Sequence, residues 1–302
     1  MSILVVGSVA FDTVTTPFGQ AAEVLGGSAT YFAAAASFFT DVRLVAVVGE
    51  DFPEESLDFL QKRNVDLRGL QRAPGRTFRW VGEYGFDLNE ARTLDTQLNV
   101  FAEFAPEIPG EYQGSDVVFL ANIDPDLQRK VLSQVRRPAL IAADTMNYWI
   151  KGKPDSLRQT LRMVDMLVIN EAETRQLAGE GNLVQAAQKV RALGPRAVVI
   201  KRGEYGALLF NEGGWFSAPA LPLETIRDPT GAGDTFAGGF IGYLANTMNF
   251  DDATMRKAMI MGSVMASFNV EAFSLGRLRT LTYEEIEARY RVFKRLAQFE
   301  DL

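Results

Sequence analysis

Six short runs of the chain are apolar at nearly every position and end at a polar residue or a glycine. They are ILVVG (3–7), RLVAVVG (43–49), DVVFLAN (116–122), ALIAAD (139–144), MLVIN (166–170) and AVVIK (197–201). Apolar runs without alternation predict strands buried on both faces, as in a parallel sheet. Helical patterns lie between them, at 27–39, 53–64, 126–136, 154–163, 171–178 and 182–193. Strands alternating with helices predict βαβ units. The expected fold is therefore α/β, a doubly wound and mainly parallel sheet with helices on both faces. Two segments break the alternation, FDTVTTPFGQAAEV (11–24) and RTFRWVGEYGFDLNEARTLDTQLNVFAEF (76–104). Their half-polar faces, Thr and aromatic content and turn residues such as Gly85 and Asn89 predict hairpin strands. Together, at about 12–25 and 76–104, they are expected to form a small β-sheet lid inserted in one domain spanning 1–302. The tail 282–302 has the pattern of an amphipathic helix.

Composition narrows the chemistry. The chain has 302 residues, no cysteine and no histidine. Disulfides, Cys- or His-ligated metal and Ser-His-Asp catalysis are thereby excluded, and acid–base work falls to Asp, Glu, Lys or Tyr. The net charge is −7, with 31 basic and 38 acidic residues and no basic block, which argues against a nucleic-acid partner. No window offers the roughly 18 apolar residues of a membrane span. MSILVVGSVA runs directly into a strand without a basic region, so it does not read as a signal peptide and a cytoplasmic location is expected.

The chemistry concentrates in DPTGAGDTFAGGF (228–240). An apolar helical pattern begins at Phe236, and Gly231, Ala232 and Gly233 form its approach. Small residues let the backbone close on a ligand, and the free N–H groups and dipole of a helix start favour anions. Asp234 is either a dipole-compensating acid or a proton acceptor beside that anion hole. The combination of hole and carboxylate is what phosphoryl transfer to an alcohol requires. Elsewhere the sequence offers carboxylates and glycines at strand ends, where ligands of open α/β sheets bind. VVGSVAFD lacks the G-x-G-x-x-G expected of a dinucleotide-binding first strand.

DPTGAGDTFAGGFI resembles the carboxyl-terminal signature of the ribokinase/PfkB family of carbohydrate kinases. GGSATYFAAAASFFTDVRLVAVVGEDF (26–52) is similar to the family's Gly-Gly motif, and INEAE (169–173) to its Asn-x-x-Glu element. Order and spacing agree over essentially the whole chain. The resemblance implies a ribokinase-like fold and an ATP-dependent kinase with Mg²⁺, and in some members K⁺. It implies Asp234 as general base and Gly231, Ala232 and Gly233 as the anion hole. Asn170 and Glu173 would organise Mg²⁺ and the phosphates, Glu173 through water. Lys201, Gly203 and Gly206 of KRGEYGALLF would border the nucleotide, and Asp228 is the matching acid for a monovalent cation or a turn cap.

On the acceptor side, Asp12 matches the family's hydroxyl-binding acid, with Gly26 and Gly27 allowing close approach of the main chain. Where many sugar kinases of the family place Asn, this chain has Thr30, followed by Tyr31. That departure puts the sugar's identity in doubt. Phe78, Trp80 and Tyr84 alternate and would share a face of the lid, either covering a sugar or nucleobase or packing the lid on a neighbour. Asp144 and Asn147 resemble a loop near the phosphates. The expected acceptor is a small sugar, sugar acid or cyclitol. The alternatives are a nucleoside, or a non-catalytic sensor of the same fold. A homodimer through the lid is a further expectation.

Overall fold

The structure is a computed structural model describing residues 1–296, 298 and 300. Its strands are β1 (Ser2–Val6), β2 (Ala10–Thr16), β3 (Gly19–Gly26), β4 (Asp41–Val48), β5 (Val65–Arg72), β6 (Arg79–Tyr84) and β7 (Ala91–Gln97), followed by β8 (Val117–Leu120), β9 (Leu140–Asp144), β10 (Met166–Asn170), β11 (Ala197–Lys201), β12 (Ala207–Asn211) and β13 (Gly214–Ala218). Nine of them form one sheet in the order β13-β12-β11-β10-β9-β8-β1-β4-β5. Every pair from β11 to β5 is parallel, and β12 and β13 close one edge as an antiparallel hairpin.

The apolar runs behave as double-faced strands. Ile3 and Val5 enter one core with the helices Ser28–Ala36, Ala232–Thr247 and Asp252–Asn269. Leu4 and Val6 enter the other, with helices Pro125–Leu132, Pro154–Leu161 and Leu183–Arg191. From β1 the chain steps outward to β4 and β5, then returns to β1's other side at β8. This reversal opens a crevice beyond the carboxyl ends of the strands, where ligands of such sheets bind.

β3, β2, β6 and β7 make a separate four-stranded sheet. β2 pairs antiparallel with β3 and parallel with β6, and β6 pairs antiparallel with β7. Val14 and Thr16 of its inner face are buried, and Thr16 Oγ1 donates to the Arg227 carbonyl at 2.9 Å, tying the sheet to the loop before Asp228.

Several elements differ from the sequence expectation. The helix expected at 53–64 is a 3₁₀ turn, Glu54–Leu57, followed by one short helix, Asp58–Gln61. The half-polar β5 lacks the unbroken apolar run of the other parallel strands, because it lies at the sheet edge with one face solvated. The terminal helix runs Tyr283–Leu296; the remainder of the expected 282–302 element includes 297, 299, 301 and 302, which lie outside the described residues. No helix among the described residues is long and apolar enough to cross a membrane.

Candidate active site

The site is assembled from strand ends. Asp12 lies on β2 just beyond β1, Asp144 ends β9, Asn170 ends β10 and Lys201 ends β11. The loop 228–231 leads into the helix Ala232–Thr247.

Asp12 is 5% exposed. A Cβ on Gly26 would fall 1.9 Å from the Asp12 carboxylate, so any side chain there would displace that carboxylate. Burial pushes that carboxylate up to about 7, with Asp228 and Asp234 adding to the rise and the Gly27 N–H opposing it. Gly27, at φ 97, starts the helix Ser28–Ala36. In its first turn Thr30 Oγ1 and Tyr31 Oη are buried and have no hydrogen-bond partner among the described residues. Tyr31 is the residue that sequence reasoning passed over. Its phenol is pushed up by burial and by Asp12, Asp228, Tyr84 and Asp234, all of which face it. The signal was a large polar aromatic beside Thr30 in an otherwise alanine-rich helix.

The loop at 228–233 is fixed from several sides. Asp228 is fully buried; Oδ1 accepts the Thr230 N–H at 2.8 Å and Oδ2 the Ser274 N–H at 3.1 Å. Each of its oxygens thus caps a turn. Asn269 Nδ2 donates to the Thr230 carbonyl at 2.8 Å. Gly231 sits at φ 73 as the N-cap, with the Tyr31 ring so close that a Cβ there would lie 2.4 Å from it. The Ala232 N–H bonds to the Pro229 carbonyl at 3.1 Å. Among the described residues no carbonyl takes the Gly231 or Gly233 N–H, so these two N–H groups are free to donate. Asp234, in the first helical turn, is pushed up to about 7 by burial and by Asp144, against the opposing pull of Lys201.

On the opposite side Asn170 and Glu173 form a capping box. Asn170 Oδ1 accepts the Glu173 N–H at 2.8 Å and Glu173 Oε2 accepts the Asn170 N–H at 3.1 Å. Their spacing is therefore accounted for locally by the helix start. Burial and Asp144 push Glu173 up to about 7, opposed by Lys201 and by the N–H groups of Asn170 and Asn147. Lys201 Nζ donates to Asp144 Oδ2 at 3.1 Å. Gly203 (φ 55) and Gly206 (φ 85) shape the turn beyond β11; a Cβ on Gly206 would lie 2.1 Å from the Ala218 carbonyl.

The small sheet spans these two halves. Tyr84 Oη lies 3.4 Å from Thr230 Oγ1. At the β6–β7 tip, Asn89 packs on Gly203, where a Cβ would meet its Oδ1 at 1.9 Å. Trp80 is the register partner of Asp12 across β2 and β6. Its indole lies over Gly82, where a Cβ would come within 2.2 Å of the ring, and its Nε1–H donates to Thr93 Oγ1 at 3.2 Å. Phe78 stacks on Phe101, with centroids 5.2 Å apart, at the root of the sheet. The alternation therefore sends Trp80 and Tyr84 inward, while Phe78 packs the sheet's base.

Among the described residues no three carboxylates converge to cage a metal. The hard oxygens of Glu173 and its neighbour Asp144 suit Mg²⁺ that keeps most of its ligands as water and phosphate.

A model of the pfkB family carbohydrate kinases matches residues 2–279. Over 250 residues the chain is 34% identical to the cytidine kinase of Thermococcus kodakarensis, covering 80% of this chain and 87% of that protein. The Burkholderia thailandensis nucleoside kinase in complex with inosine superposes with a TM-score of 0.76 at 20% identity, covering 96% of this chain and 97% of the other. A putative Escherichia coli ribokinase II in complex with ATP and Mg²⁺ gives 0.78 at 18% identity, covering 96% and 99%.

Proposed function

Since the chain belongs to the pfkB family of carbohydrate kinases and is an ATP-dependent phosphotransferase with a hydroxyl acceptor, we propose that its acceptor is a nucleoside. The observation that carries this reading is the pairing of Asp12 with Trp80. Paired residues of parallel strands point their side chains to one face, about 4.8 Å apart. An acceptor whose sugar diol meets the Asp12 carboxylate thus brings its next ring to the indole. A carboxylate accepts two hydroxyl hydrogen bonds, and a flat indole offers stacking to a nucleobase. A free sugar, sugar acid or cyclitol would use only the first. The 34% identity to a cytidine kinase supports the same choice.

In this reading Asp234 takes the proton of the acceptor hydroxyl as its oxygen bonds to the γ-phosphorus. The bond from that phosphorus to the bridging oxygen of ADP breaks, and ADP leaves. Gly231 and Gly233 present free N–H groups to the transferring phosphoryl group, with Ala232 closing the turn. Asn170 and Glu173 face the phosphates, and Glu173 would reach Mg²⁺ through water. Bound Mg²⁺ supplies charge neutralisation on the phosphates. The turn from Lys201 to Gly206 would border the nucleotide. Asp228, with both oxygens given to backbone N–H groups, holds the loop. The small sheet acts as a lid, excluding water as a competing acceptor.

The test is ADP release with Mg-ATP over nucleosides, pentoses, hexoses, cyclitols and sugar acids. Nucleosides should give turnover, which Asp234→Asn lowers at least ~10²-fold with little change in ATP affinity. Trp80→Leu should raise the nucleoside KM at least about tenfold, the loss of roughly one stacking contact, with kcat nearly kept. Turnover confined to free sugars or cyclitols would overturn the nucleoside reading.

A further inference from the structure

Four buried side-chain polar atoms among the described residues have no hydrogen-bond partner, and three of them, Thr30 Oγ1, Tyr31 Oη and Thr145 Oγ1, lie beside the site. A buried O–H without an acceptor is costly to the fold, so each such group calls for a reason. Tyr31 is the strongest case, a large side chain only 2% exposed. Its ring lies against the anion-hole turn, where a Cβ on Gly231 would fall 2.4 Å from it. Its helix starts at Gly27, next to Gly26, whose backbone abuts the Asp12 carboxylate. Tyr31 thus stands between the acid that meets the acceptor's diol and the turn that carries Asp234. Neighbouring groups are engaged elsewhere. Both Asp228 oxygens accept backbone N–H groups, and Tyr84 Oη is paired with Thr230 Oγ1.

We propose that Tyr31 is a specificity-determining residue that donates a hydrogen bond to the 3′-hydroxyl of the acceptor, so that the enzyme selects nucleosides carrying that hydroxyl over 3′-deoxy analogues. The proposal rests on the nucleoside reading of the acceptor. A sugar hydroxyl is a donor and an acceptor at once. The Asp12 carboxylate is the accepting member of the pair. The phenol, kept protonated by burial and by the acids that face it, is the donating member. Together they fit one hydroxyl, which gives its hydrogen to Asp12 and takes that of Tyr31. With the 5′-hydroxyl at Asp234, the 3′-hydroxyl is the one lying between that oxygen and the far end of the diol. An acceptor without it leaves both Asp12 and Tyr31 unpaired, the condition under which a buried polar site discriminates most sharply.

The experiment measures kcat and KM of the native enzyme and Tyr31→Phe with Mg-ATP saturating. The acceptors are the best substrate among cytidine, uridine, adenosine, inosine and guanosine, and its 2′-deoxy and 3′-deoxy analogues. The native enzyme should prefer the parent nucleoside to the 3′-deoxy analogue by at least about 10²-fold in kcat/KM. Tyr31→Phe should lower kcat/KM about tenfold for the parent and the 2′-deoxy analogue, the loss of one neutral hydrogen bond. For the 3′-deoxy analogue it should stay within about twofold of native. The ligand-free variant should melt at or above the native temperature, because an unpartnered buried hydroxyl has been removed. Equal losses on all three acceptors, or a variant less stable than native, would mark a structural hydroxyl and overturn the proposal. So would a variant with native kcat/KM throughout, or a loss spared only on the 2′-deoxy analogue. Each of these results includes nucleoside turnover and leaves the nucleoside reading standing. Turnover of no nucleoside overturns that reading, and this proposal with it.

Discussion

Gly231 shows how one residue serves backbone and site at once. At φ 73 it occupies the left-handed region, and the Tyr31 ring fills the space a side chain would need. Alanine there meets both a conformational cost, about 1 kcal/mol or more, and a clash. The turn must shift, and with it the free N–H of Gly231. Gly231→Ala should therefore lower kcat by about 10²-fold, the usual loss for a displaced oxyanion donor, while acceptor KM changes little. Parallel measurement of kcat and KM checks this; a variant within threefold of native kcat would show that the turn has no part in catalysis. Tyr31 illustrates what the sequence concealed. Its phenol matters through its distance from a loop two hundred residues away, which no local pattern encodes. Thr30, Gly26 and Asp12, by contrast, sit in motifs whose spacing is local.

At the level of elements, buried parallel strands were legible because burial on both faces writes itself as unbroken apolar runs. The small sheet was legible from the opposite sign, half-polar strands around turn residues. β5 and the short helix Asp58–Gln61 were not, since edge solvation and a marginal turn leave no periodicity. Nor does sequence reveal that the β6–β7 hairpin meets the rest of the site twice, at Tyr84 with Thr230 and at Asn89 with Gly203. One contact adjoins the anion hole and the other the turn beyond β11. The hairpin therefore spans both sides of the proposed site. Tyr84→Phe removes the first contact and keeps the ring. It should leave ATP affinity unchanged and raise the ratio of ADP released to acceptor phosphorylated by about 2–10-fold, because water gains access when closure weakens. Product and ADP quantified in the same reaction give this ratio, and an unchanged ratio would remove the hydroxyl from any closing role.

Across the whole molecule, the site is a concentration of buried acid that folding must tolerate. Asp12, Asp234 and Glu173 are each pushed up to about 7, chiefly by burial, against about 4 for free carboxylates. The folded state thus holds protons that the unfolded chain releases. Stability from these groups is fully present below about pH 4 and declines as pH rises through about 7. Ion-paired acids run the other way. Asp51 is held down by Thr77 and Arg79 although burial opposes it, and Asp126 is held near 2 by Lys153, Ser156 and Arg129, so their contribution is lost only in stronger acid. The two trends place the stability maximum of the ligand-free protein near pH 5, at the acid end of the usual range. Asp12→Asn removes one of the costly charges while keeping size and hydrogen-bonding capacity. It should raise the melting temperature at pH 8 by a few degrees, about 1–2 kcal/mol, change it little at pH 5, and impair acceptor binding. Thermal unfolding by circular dichroism from pH 4.5 to 8.5 at fixed ionic strength tests both points. A native melting temperature that climbs steadily to pH 8, or an asparagine variant less stable there than native, would mean that these carboxylates are not held protonated by the fold. A stabilised but poorly binding variant would instead show that the acceptor site is maintained at the expense of the fold around it.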